Sequence, residues 1–253
     1  MDVDGLLSQL SEVGRIERAD LSQFDFSILG TEKYYTFVGC RMDVSRITGD
    51  ALKGSTWIDC SFLDCVFASC RLADATFDNC RFFDSEQGKG TAFRFADLRG
   101  ALFKNCDLSL GILLGCEAHD IAFADCRMRG FTAERTTFMR KIGRVERNAA
   151  TFENCNLSDA VMRELNLSDC AITGCSMRDA DISSSNLVKA EIVDCDLDGV
   201  NSEAADLSIA DLRRSSLAGM NLTSLQAYSG MTVSARQQSH LLKSLGIEVW
   251  PED

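Results

Sequence analysis

From Ala150 to Ser224 an apolar residue falls at every fifth position, and the places between are mostly polar. The stretch divides into fifteen five-residue units. Their centres are Phe152, Leu157, Met162, Leu167, Ile172, Met177, Ile182, Leu187, Ile192, Leu197, Ser202, Leu207, Leu212, Leu217 and Leu222, with Ser202 the one polar exception. Two places before each centre the residue is usually small or a cysteine, as at Ala150, Cys155, Ala160, Cys170, Cys175 and Ala180. A period of five fits neither the 3.6 residues of a helical turn nor the two of an alternating strand. It is therefore an internal repeat. The same rhythm runs from Phe37 to Phe82 and from Phe93 to Phe138, and Leu21 and Phe26 open it. In the second run Ala118 and Ala133 are undersized centres, while Phe131 is oversized for its inward place. Two polar inserts break the register, at 84–92 and 140–149, and glycine-bearing polar inserts in a regular array read as loops thrown outward.

The pentads Ala-Asp-Leu-Ser-Ile (205–209) and Ala-Asp-Leu-Arg-Arg (210–214) resemble the signature of the pentapeptide-repeat proteins. That resemblance implies an all-β fold, a right-handed quadrilateral β-helix with four pentads and twenty residues per coil. Residues twenty apart then share an environment, and the cysteines meet this demand. Cys40, Cys60 and Cys80 make one column, Cys106 and Cys126 another, and Cys155, Cys175 and Cys195 a third.

The ends depart from the repeat. Leu6, Leu10 and Val13 lie on one face of a short helix within Asp4–Gly14, suited to covering the open end of a solenoid. After Leu222, Ser234 and Gln237 form a capping-box pattern, Leu241, Leu242 and Leu245 an apolar helical face, and Gly246 a stop. Ile247, Val249 and Trp250 then alternate as a short strand would. The expected division is an N-terminal cap over 1–18, a β-helix over 19–227, and a helix with a short strand over 228–253.

Composition narrows the setting. All twelve cysteines stand two places before a centre, without the paired spacing of a zinc site or disulfide framework. They read as compact buried groups, and unpaired thiols point to a reducing cytoplasm. The start is acidic and lacks a signal peptide's basic flank, and the longest apolar run, Leu108–Leu114, is too short to span a bilayer. Neither His119 nor His240 has triad or metal spacing around it, and no phosphate-binding glycine motif is present. The expectation is a protein that is not an enzyme and needs no cofactor or metal.

Net charge is −12, and residues 150–226 hold thirteen acids against five bases. An acidic rod repels nucleic acid and is able to imitate it, although acidity also serves solubility alone. The insert at 140–149 has the opposite sign, with Arg140, Lys141, Arg144 and Arg147 against Glu146.

The positions of the two loops, the segment 96–110 between them and the tail Gln-Gln-Ser-His-Leu-Leu-Lys-Ser-Leu-Gly-Ile-Glu-Val (237–249) resemble the Qnr quinolone-resistance proteins. The resemblance covers roughly the C-terminal two-thirds of the chain. It implies a homodimer joined through its C-terminal elements that binds DNA gyrase or topoisomerase IV and protects it from quinolones. By its own chemistry, a basic exposed insert on a rigid scaffold, the expected recognition loop is Arg140, Lys141, Ile142, Gly143, Arg144, Val145 and Arg147. Asp84, Ser85, Glu86, Gln87, Gly88 and Lys89 support it, and Leu241, Leu242, Leu245, Ile247, Val249 and Trp250 join the subunits. Two other readings stand beside this one: immunity against a different topoisomerase poison, and a generic repeat scaffold for another cytosolic protein.

Overall fold

The computed structural model describes residues 3–142 and 145–250. The chain winds as a parallel β-solenoid of four faces. The first face is a nine-stranded sheet in which Ile16, Phe37, Trp57, Phe77, Phe103, Phe123, Phe152, Ile172 and Ile192 stack in one inward column. The third is a five-stranded sheet through Ile47, Phe67, Phe93, Leu113 and Ala133. The second and fourth faces are held mostly by single bridges, such as Asp107 to Arg127 and Glu117 to Thr137. Backbone N–H groups reach the carbonyls of the adjacent coil throughout, as from Thr56 to Tyr35 at 2.8 Å. Most main-chain donors thus find their partner one coil away, and turn amides bond within their own coil, as from Gly111 to Leu108 at 2.9 Å.

Four columns of pentad centres fill the interior. In the N-terminal half three of them are largely aromatic, and rings of successive coils lie nearly parallel: Phe37 on Trp57 at 3.9 Å, Phe62 on Phe82 at 4.7 Å, Phe67 on Phe93 at 4.8 Å. The last two spacings match the separation of neighbouring strands, so stacking and hydrogen bonding agree there. Phe131 and Ala133 exchange roles, both being buried. The large ring occupies the volume that the small centre leaves empty.

The cysteines form a longer array than the sequence spacing shows. The six-residue and nine-residue excesses of the two inserts lie between the three expected columns. With them looped out, Cys40, Cys60, Cys80, Cys106, Cys126, Cys155, Cys175 and Cys195 fall in a single column, all buried. Each thiol donates to carbonyls of its own and the preceding coil, as Cys106 Sγ does to Lys104 O at 3.2 Å and Phe77 O at 3.4 Å. Ser215 continues the column, bonding to Ile192 O at 2.8 Å.

The ends are covered from within the chain. The N-terminal helix, Val3–Val13, buries Leu6 and Leu10, but Val13 is 69% exposed. The expected three-residue apolar face is thus two residues, because Val13 lies in the last turn, just before Gly14 turns into the first strand. At the other end a short 3₁₀ turn, Ala235–Gln237, leads into the helix Gln238–Ser244. Gln237 Nε2 donates to Leu212 O and Ser215 O at 2.6 and 2.7 Å. It thereby caps carbonyls of the final coils that have no following coil. The short strand expected over 247–250 does not form. Residues alternating in sequence need a neighbouring strand to pair with, and this chain offers none there.

Candidate functional site

Both inserts leave the solenoid and return at one corner, so their ends start close together and pair. Each of the two outward loops expected from the sequence is built on an antiparallel pair of short strands. The first joins Phe83–Asp84 to Lys89–Gly90 and the second joins Met139–Ile142 to Val145–Asn148. The first springs from the corner between the second and third faces, the second from that between the fourth and first. They therefore project from diagonally opposite corners.

The first hairpin folds back over the N-terminal coils. Lys89 Nζ reaches Asp64 Oδ2 at 2.8 Å, and Thr91 Oγ1 donates to Phe62 O at 2.6 Å. Gly90 is obligatory, since a Cβ there would lie 2.1 Å from Leu110 O. Asp84 Oδ1 accepts from the amides of Glu86 and Gln87, tightening the tip. Asp84, Ser85, Glu86 and Gln87 border a polar cavity of about 350 Å³ with Arg41, Asp43, Val44, Leu63 and Arg81. Gly88 takes φ +64° at the turn.

The second hairpin is anchored at both roots. Arg140 Nη1 approaches Asp120 Oδ2 at 3.4 Å, and His119 Nδ1 lies 3.1 Å from the same oxygen. On the returning strand Asn148, 4% exposed, donates to Asn166 Oδ1 at 3.0 Å and Ser168 Oγ at 2.8 Å. One arm is thus tied to the coil before and the other to the coil after. Gly143 and Arg144 lie outside the described residues, as do the side chains of Lys141, Ile142, Val145 and Arg147. Sequence reasoning missed His119, Asp120 and Asn148 as anchors. Their contacts cross between coils and leave no local pattern.

Acid on the C-terminal coils has a structural origin and a surplus. Asp159, Asp169, Asp179 and Asp194 hold the left-handed turn conformation that Asp and Asn tolerate best. Asp181, Asp206 and Asp211 accept from the amide two residues on. Asn156, Asn166, Asn186 and Asn201 do the same work without charge. The fold therefore calls for Asx side chains, and the choice of Asp over Asn adds the charge. Arg214 forms a forked pair with Asp194 at 2.6 Å, and this bonding holds that carboxyl below its ordinary range.

In the tail Leu241 is buried against the last coil and Leu242 is half-buried, whereas Leu245, Ile247 and Val249 are nearly half exposed and Trp250 is 83% exposed. Ile247, Val249 and Trp250 border one shallow cleft with Ser239 and Lys243. Among the described residues no three His, Cys, Asp or Glu are set to hold a metal, and no helix is long and apolar enough to cross a membrane.

A profile of the pentapeptide repeat region matches residues 146–222. Among solved structures, full-length QnrB1, a plasmid-mediated fluoroquinolone resistance protein, shares 27% identity at a TM-score of 0.65, covering 85% of this chain and all of that one. A trypsin-treated variant of that protein gives 26% identity and a TM-score of 0.62 over 83% of this chain and 99% of the other. A second such variant gives 26% and 0.59, covering 86% and 100%. No curated protein sequence matches the chain.

Proposed function

Starting from a chain with a pentapeptide-repeat region and a fold similar to that of a fluoroquinolone resistance protein, we propose that it binds a type II DNA topoisomerase, DNA gyrase first, and protects it from quinolones. The observation that carries the reading furthest is charge density. Residues 150–226 occupy just under four coils, about 19 Å at the strand spacing, and carry a net charge of −8. That is one net charge per about 2.4 Å, against one per about 1.7 Å for duplex DNA. A rigid rod with this density fits a surface shaped and charged for a DNA segment. The basic second hairpin supplies the opposite sign beside it, where a DNA-binding enzyme presents acidic protein surface. The protein acts as a binding partner in the cytosol rather than as a catalyst, and its exposed tail joins two copies into a longer rod.

The test is supercoiling of relaxed plasmid by gyrase at a fixed quinolone concentration with increasing amounts of this protein. Supercoiled product should return and drug-trapped cleaved DNA should fall. Removal of residues 140–148 restores the five-residue register between Phe138 and Phe152, so the shortened chain should keep its β-rich circular dichroism spectrum and lose protection. Full protection by the shortened chain would remove the second hairpin from the mechanism. No recovery of supercoiling by the intact chain would remove gyrase protection altogether.

A further inference from the structure

One part of the surface resembles neither DNA nor a solvated turn. Phe95 and Leu110 are 60% and 43% exposed, and both hold left-handed backbone at φ +53°. At the equivalent corner positions of other coils stand mostly Gly, Ser and Asp, such as Gly115, Ser69, Asp64 and Asp159, with Val44, Arg135 and Glu164 the larger exceptions. A bulky apolar side chain there strains the backbone. Each covers a glycine one coil on, Phe95 over Gly115 and Leu110 over Gly130. That contact leaves most of the ring and much of the Leu110 side chain in water, so folding does not account for them.

The two residues bracket the third face, and its outward positions between them are Ile112 and Leu114, both half-buried. The Phe95 amide donates to Leu114 O at 2.8 Å, which puts the ring beside Leu114. The other edge runs into the first hairpin, whose Gly90 sits on the Leu110 carbonyl. Elsewhere this face carries Thr132, Glu134, Arg163, Asp181 and Ser183 outward, with Val66 and Val161 as apolar exceptions. The four apolar residues therefore form a local patch on a mostly polar face. Arg94 and Arg135 stand next to it, both exposed, and among the described residues neither is within ion-pair distance of a carboxylate. Unpaired cations beside an apolar patch complement a segment with apolar and carboxylate side chains.

We propose that the patch formed by Phe95, Leu110, Ile112 and Leu114 on the third face, with Arg94 and Arg135, docks an apolar and acidic protein segment of the topoisomerase. This rests on the gyrase-binding reading and adds a contact that is protein-like where the C-terminal coils are DNA-like. The first hairpin borders the patch and fixes its edge.

The experiment is binding of purified gyrase holoenzyme to the full chain, to the double variant Phe95→Asn with Leu110→Asp, and to the double variant Arg94→Glu with Arg135→Glu. Asn and Asp suit left-handed backbone, so the first variant should unfold at the wild-type temperature or above it. It should nonetheless bind gyrase at least about tenfold more weakly, as loss of an apolar anchor does. Charge reversal should weaken binding by a similar factor. Wild-type affinity in the first variant overturns the patch and leaves the gyrase reading in place. Loss of affinity in the first variant but not in the second overturns the acidic chemistry assigned to the segment. If the unaltered chain binds no gyrase, the reading on which the patch rests fails and the patch fails with it.

Discussion

Cysteine at the small inward place is the residue on which this interior is most clearly a close-packed solid. Burial pushes the Cys70 thiol up to about 12 and those of Cys65 and Cys170 to about 11, from an ordinary 9.0. A group whose pKa is raised on folding favours the native state while it stays protonated in both states. The contribution of these three thiols is therefore complete below about pH 9 and is lost as pH rises from there towards 12. Denaturant midpoints measured from pH 7.5 to 11 should accordingly fall above pH 9. A thiol reagent at pH 8 should label the native chain at none of its twelve cysteines and the unfolded chain at all of them. Rapid labelling of the native chain would show that the coils open locally. The role of these cysteines was legible from their constant place in the pentad. Their single eight-membered column was not, because the two inserts shift the numbering between its three parts.

Hairpins and end caps are where local sequence said least about form. Glycine and charge marked both inserts as departures, yet pairing of their arms follows from both ends meeting at one corner. The same rule explains the missing strand at 247–250, which has alternation but no neighbour. For the second hairpin the decisive residue is Asn148, read from sequence only as part of an insert. Asn148→Ala removes both hydrogen bonds from the returning arm to the next coil, at a cost of about 0.5–1.5 kcal/mol, since exposed Asn166 and half-buried Ser168 can turn to water. Trypsin should then cut within residues 140–147 several-fold faster, while the circular dichroism spectrum stays that of the intact solenoid. Equal cleavage rates would mean that backbone pairing of the two arms holds the hairpin without this anchor.

For the whole molecule the open question is how many copies make one rod. Nine coils at the strand spacing give about 43 Å, and two molecules end to end approach the length of about 25 base pairs. Leu245, Ile247, Val249 and Trp250 leave apolar surface in water at one end, and an end-to-end pair would cover it. Gln237 caps the last coils, so the informative truncation ends at Ser244 and keeps that cap. Light scattering should give twice the chain mass for the intact protein and the monomer mass for the truncated one. A monomer in both would leave the tail as a cap and halve the DNA-like length.

The repeat itself was readable because a solenoid's core is local. Each coil buries one face of four successive pentads, so period, inward residues and stacking distance are all present within twenty residues of sequence. The resemblance in loops and tail likewise rested on contiguous segments. Tertiary structure alone decided which corner each insert leaves from, that two corners are diagonal, and that Phe95, Leu110, Ile112 and Leu114 share one patch. Those facts depend on how residues about twenty apart line up after winding, and on which side chains the next coil leaves uncovered. A sequence pattern records what must be buried, whereas the side of the rod on which the remaining side chains meet exists only once the coils are stacked.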